Sequence, residues 1–226
     1  MIYDALAWLA DVSNWAGDAG IWMRLVQHLG VTMAVVMVSA VIAMPIGIAI
    51  GHTGRARALV TLSSGAVRAL PTLGLLTLFG LALGIGLTAP FLALVVLAIP
   101  PLLAGAYSGV ESADPATVDA AYAIGMTSMQ VLRHVELPAG FPIMLGGLRT
   151  TVLQVASTAT LAAYTADFGL GRFLFSGLKT NRYEVMIGGA LLVVALTLVL
   201  DVALAALQRV ATREKRVNGD GAVSGQ

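Results

Sequence analysis

Five apolar stretches, at residues 25–50, 59–84, 88–109, 140–163 and 184–207, constrain this chain more than any other feature. A bilayer core of about 30 Å is crossed by roughly 20 residues of α-helix, and each stretch reaches that length. With 58% hydrophobic residues, 11% charged and a mean hydropathy of +0.88, the chain is too apolar to hide its side chains in one soluble core. The expected fold is therefore all-α and polytopic, with about five transmembrane helices. Three segments follow: an outer-side interfacial segment at 1–24, a transmembrane domain at 25–208, and a polar, disordered cytoplasmic tail at 209–226. The second stretch is the least clean, because Arg68 and Pro71 interrupt its first half.

Basic residues set the expected orientation. Arg55 and Arg57 lie in the first connection, Arg133 in the third, and Arg209, Arg213, Lys215 and Arg216 after the last stretch, so these faces are read as cytoplasmic. Asp4, Asp11 and Asp18 make the start of the chain acidic, unlike a cleavable signal, and suit the outer side. The connection at 166–183 argues against this scheme, since it carries Arg172, Lys179 and Arg182 yet falls outside. Within it, residues 168–175 suit a short re-entrant or interfacial helix, which protein would have to cover. Trp8, Trp15 and Trp22 recur every seven residues, as either one interfacial helical face or three unrelated aromatics near a membrane. Gly47/Gly51, Gly80/Gly84 and Gly105/Gly109 set small residues one turn apart and imply close helix packing.

Several function classes are disfavoured. A net charge of +1 gives no footprint for nucleic acid, and the absence of cysteine removes disulfides, thiolate metal sites and thiol nucleophiles. No Gly-x-x-x-x-Gly-Lys-Ser/Thr loop is present to cradle a nucleotide phosphate, so the chain is not expected to hydrolyse ATP and energy for any active transport has to come from elsewhere. Asp201 is the one obvious carboxylate inside a span, which disfavours a proton- or sodium-coupled carrier. No catalytic residue, metal or cofactor is expected.

The polar loop at 110–140 can be built from local rules. Asp114 is placed to cap a helix that starts on Pro115 and runs through Ile124, with Gly125 as its left-handed terminator. A second short helix is expected to start near Thr127 or Ser128, to carry Arg133 and His134 on its wetter face, and to stop before Pro138.

Asp119-Ala120-Ala121, three residues, Gly125, nine residues, then Val135-Glu136-Leu137-Pro138 resembles the coupling-loop motif of ATP-binding cassette importer permeases. That motif reads Glu-Ala-Ala, three residues, Gly, nine residues, Ile-x-Leu-Pro. Asp119 for Glu and Val135 for Ile are conservative departures. The resemblance implies a type I importer permease in the inner (plasma) membrane, with its N-terminus outside and its C-terminus cytoplasmic. Asp119, Ala120, Ala121, Gly125, Ser128, Val135, Leu137 and Pro138 would then couple to a cytoplasmic ATP-binding cassette ATPase. It also implies an external solute-binding protein, a second permease copy or paralogue, and contact with membrane lipid. Residues 68–73, Gly169-Leu170-Gly171 and Asp201 extend the likeness toward the osmoprotectant branch, which imports glycine betaine, choline or related solutes. The methionine-importer branch shares the coupling motif and the Asn181-Arg182-Tyr183 region, and a passive channel or scaffold is the alternative outside the importer class.

Arg68 is read either as a snorkelling side chain or as part of a gate, and Pro71 as a kink that shapes the pore. For Arg149 and Asp201, both about two turns inside their spans, a structural ion pair is favoured over a substrate site.

Overall fold

Long apolar runs without competing turn chemistry become long helices. The computed structural model describes residues 1–58, 60, 62, 65 and 71–220, with side chains to 210. In chain order the helices are α1 (Ile2–Ala10), α2 (Ile21–Thr53), α3 (Thr72–Leu83), α4 (Thr88–Glu111), α5 (Pro115–Ala123), α6 (Ser128–Val131), α7 (Leu137–Thr158), α8 (Gly171–Lys179) and α9 (Tyr183–Asp220). Pro45 sits inside α2, Pro100 and Pro101 inside α4, and Pro142 inside α7. Such interruptions are tolerated in membrane helices, where neighbouring groups satisfy the freed carbonyls.

Among the described residues three helices are long and apolar enough to cross a membrane: Ile21–Thr53, Thr88–Glu111 and Tyr183–Val210. The expected second span is represented by α3, which has 12 residues, and the expected fourth by α7, which has 22. Helix α7 is diluted by glycines, threonines and Arg149, and a 3-10 turn at Ala159–Tyr164 follows it. Pro71 is the N-cap residue before α3, in extended backbone. Arg68 lies outside the described residues. The last helix runs to Asp220, past residue 209 where a disordered tail was expected, since Arg, Glu and Lys there are good helix formers.

The chain divides into two compact units. The first contains Met1–Ser39, Ala66–Ala98 and Val152–Val199, and the second Ala40–Gly65, Ile99–Thr151 and Leu200–Gln226. In the first, Ile21, Leu170, Leu192 and Val193 form the core, with Trp8, Trp15 and Phe173 packed on it. The three tryptophans do not share a helical face: Trp8 is on α1, Trp15 follows a 3-10 turn, and Trp22 is on α2. Trp8 packs edge-on to Phe173 at 5.2 Å between ring centroids, and Trp15 to Trp22 at 5.4 Å.

The same unit holds the connection after α7 with a clamp. Arg24, 5% exposed, donates to the Asp167 carbonyl at 2.7 Å and to Asp167 Oδ1 at 2.8 Å. The Gly169 N–H donates to Gln27 Oε1 at 3.0 Å, and Gly169 has φ +69°. His28 is fully buried and its Nε2 is 2.8 Å from the Ala156 carbonyl, which fixes the Nε2–H tautomer and leaves Nδ1 without a hydrogen-bond partner. Helix α8 then occupies the stretch where a short helix was expected, starting a little later, at Gly171.

In the second unit Ala43, Ile50, Leu102 and Leu103 make the core. A Cβ on Gly47 would lie 2.6 Å from the Leu103 carbonyl, and one on Gly105 2.9 Å from Gly147 Cα, so two of the glycine pairs seat neighbouring backbones. The third pair does not. Gly84 instead ends α3 with φ +84°.

Candidate coupling site

The hairpin between α4 and α7 lies within the second unit and is assembled from caps. Asp114 Oδ1 accepts from the Ala116 N–H at 3.3 Å, and Thr117 Oγ1 donates to Asp114 Oδ2 at 2.9 Å, starting α5 on Pro115. At the other end Gly125 has φ +89°. Its N–H donates to the Tyr122 carbonyl at 2.9 Å and the Met126 N–H to the Ala121 carbonyl at 3.1 Å, the two bonds of a Schellman stop. Thr127 then begins α6 with a capping box: its N–H donates to Gln130 Oε1 at 2.7 Å while the Gln130 N–H donates to Thr127 Oγ1 at 3.4 Å.

The second helix does not stop before Pro138. A π-helical turn at Leu132–Glu136 joins α6 to α7, and the Leu137 N–H donates to the Leu132 carbonyl. A proline at 138 would press on the carbonyl one α-turn back, and the wider turn gives its ring room, so the chain keeps its direction without breaking. Leu137 and Pro138 are thus the first residues of α7, and each is half-buried.

Of the other motif residues, Ala121 is 6% exposed and packs inward, Val135 is half-buried, and Asp119, Ala120, Gly125 and Ser128 face out. Around Gly125 three large apolar side chains are exposed: Ile124 at 80%, Met129 at 60% and Tyr122 at 44%. Their neighbour Val131 is fully buried and pins the base of α6. The result is a capped hairpin with an apolar rim and a polar base.

That base contains an arrangement the motif alone does not disclose. His52, in the last turn of α2, places Nδ1 2.5 Å from Glu136 Oε2 and Nε2 2.6 Å from Ser128 Oγ. Glu136, the variable position of the Val-x-Leu-Pro run, is 7% exposed. A carboxylate so buried requires a charged or donating partner. Its presence in an otherwise apolar turn was the available signal, but nothing local points to a histidine 84 residues earlier. A second link, Arg57 Nη1 to Glu111 Oε1 at 3.2 Å, ties residues beyond α2 to the end of α4 on a more exposed face.

Arg149 and Asp201 are brought together, with Arg149 Nε donating to Asp201 Oδ1 at 2.7 Å. Each side chain keeps about a third of its surface exposed, 33% and 32%, so the pair is only partly desolvated. Gln208 donates to the Pro142 carbonyl at 3.0 Å beside it, a second tie from α9 to α7. Among the described residues no group of three metal-ligating side chains converges.

Residues 42–216 match the family model described as binding-protein-dependent transport system inner membrane component. The glycine betaine/carnitine/choline transport system permease protein OpuCB of Bacillus subtilis is 31% identical over 186 residues, covering 82% of this chain and 86% of that one. The osmoprotectant import permease protein OsmW of Salmonella typhimurium is 32% identical over 194 residues, covering 82% and 89%. Among solved structures, a chain of the inward-facing MetNI methionine ABC transporter superposes with a TM-score of 0.72 at 23% identity, covering 84% of this chain and 96% of that one. That likeness speaks to the fold.

Proposed function

The chain belongs to the family of binding-protein-dependent transport system inner membrane components, and from that premise we propose that it is the permease subunit of an ATP-driven importer of quaternary-ammonium compatible solutes such as glycine betaine, choline or carnitine. The observation that carries the solute class is the likeness, over more than four fifths of the chain, to permeases named for those solutes. The hairpin supplies the mechanical half of the reading. Ile124, Met129 and Tyr122 form an exposed apolar rim suited to a groove on a separate cytoplasmic ATPase.

In this reading Asp119, Ala120, Ala121, Gly125, Ser128, Val135, Leu137 and Pro138 shape and present the coupling hairpin, and an external solute-binding protein delivers the solute. Pro71 starts α3 near the gate, and the Arg149–Asp201 pair fixes α7 to α9. A second copy or a paralogue completes the pore, lipid surrounds it, the N-terminus lies outside and the C-terminus inside. ATP binding closes the ATPases and draws the coupling hairpins together, which shifts the pore outward-facing; hydrolysis resets it. Such a switch needs different contact energy in its two states, and the docked hairpin is where that difference enters.

The test is uptake into proteoliposomes holding the permease, its ATPase and its binding protein, with glycine betaine, choline, carnitine and methionine offered separately. Uptake of a quaternary ammonium that requires enclosed ATP is the expected result. Methionine uptake alone would move the chain to the amino-acid branch, and flux without ATP would make it a passive channel. Crosslinking from Ser128→Cys should capture the ATPase, while Thr88→Cys, placed on the outer side, should not.

A further inference from the structure

His52 stands apart from the coupling motif yet touches it twice. Its ring sits between the first helical residue of α6 and the last residue of the π turn, with Ser128 Oγ on Nε2 at 2.6 Å and Glu136 Oε2 on Nδ1 at 2.5 Å. The Nδ1–H donates to the carboxylate, and the Ser128 hydroxyl meets the opposite nitrogen. His52 is also the basic residue in the last turn of α2.

Stability alone is a poor reason for this arrangement. A buried His–Glu pair seldom outperforms well-packed apolar side chains of the same volume, because desolvation offsets the attraction. What the pair supplies and packing does not is direction. A rigid planar ring bonded at both nitrogens fixes α2, α6 and the π turn at three points, so a push on α6 cannot be absorbed by sliding of apolar surfaces.

We propose that His52 is the positioning residue through which movement of the docked hairpin is passed into the first long helix; this rests on the importer reading above. The Ser128–His52–Glu136 set resembles a hydrolase triad in its bonding order alone, and its role is that of a strut. The apolar rim of Ile124 and Met129 receives the ATPase's motion, and the strut delivers it to α2.

The test uses the assembled transporter in proteoliposomes with glycine betaine as the probe, reading solute moved per ATP hydrolysed. In His52→Ala the hairpin still docks and ATP is still hydrolysed, while solute per ATP falls about tenfold, the effect of one lost charge-assisted bond. His52→Asn, whose amide nitrogen takes the place of Nδ1, should recover part of the ratio. A wild-type ratio in His52→Ala overturns the proposal, as does a parallel fall of uptake and hydrolysis that tracks lost protein, which is what mere structural damage would give. Should His52→Ala fail to assemble, Ser128→Ala at an exposed position takes its place: a lowered ratio with unchanged melting supports the strut, and an unchanged ratio overturns it. Absence of ATP-driven glycine betaine uptake by the unmodified chain would instead strike the importer reading itself.

Discussion

The connection after α7 and the hairpin after α4 both hang on α2, and they hang differently. The first is clamped: Arg24, Gln27 and His28, about one turn of α2, hold Asp167, Gly169 and Ala156, largely through backbone atoms and from buried or half-buried positions. The second is held at its base by side chains, the His52 ring on Ser128 and Glu136 and the buried Val131, while Ile124 and Met129 stand in the open. A segment tied through several backbone groups is costly to move at all, whereas one tied through side chains at its base moves together with the helix that holds it. The difference is the one expected between a fixed lip and the lever proposed above.

Breaking the clamp should have the largest effect. Arg24→Ala removes a buried guanidinium and its two bonds to Asp167, so stability should fall by on the order of 3 kcal/mol, seen as a lowered Tm in detergent. Arg24→Lys should rescue little, because a point ammonium does not span carbonyl and carboxylate together. A wild-type Tm in Arg24→Ala would mean the clamp is ornamental and the contrast with the hairpin false.

A matched pair of glycine substitutions sharpens the comparison at intermediate size. Gly169 and Gly125 both have positive φ, at +69° and +89°. A Cβ at Gly169 would meet His28 Nδ1 at 3.2 Å, while one at Gly125 meets nothing within 4 Å. Gly125→Ala should therefore cost about 1 kcal/mol from backbone strain alone, and Gly169→Ala about 2 kcal/mol. Equal shifts in Tm would show that the clamp yields as easily as the hairpin.

The smallest effect on folding should come from Ile124→Ser. At 80% exposure the side chain contributes little to the fold, so stability should change by less than about 0.5 kcal/mol, while affinity for the ATPase subunit drops measurably in a pull-down titration. If Tm falls and ATPase binding does not, the rim belongs to the chain's own packing.

How much of this could be read from residues alone follows the same division. The hairpin was legible because its ends are local: Asp114, Pro115, Gly125 and Thr127 each act on groups within a few residues. The Arg149–Asp201 contact was legible because charge inside an apolar span demands a partner, and few candidates exist. The clamp and the His52 strut were not, since they join residues 143 and 84 positions apart through contacts that leave no periodicity. Pro138 was misread for a related reason. The rule that helices end before proline assumes α pitch, and a π turn upstream removes the clash that enforces it. The count of spans was strained by α7, whose glycines and polar residues suit close neighbours better than a hydropathy window.

The Leu132–Glu136 turn has a further consequence, for chain length rather than chemistry. A π turn holds one residue more than the α-helix would. Deleting one residue there would restore ordinary pitch and swing everything upstream by about 100° around the axis. Ser128 would leave His52, Val131 would swing out of its buried position, and the following spans would keep their composition unchanged. The phase of the hairpin is thus set by counting, and a protein altered by one residue at this point would still enter the membrane with its hairpin turned the wrong way.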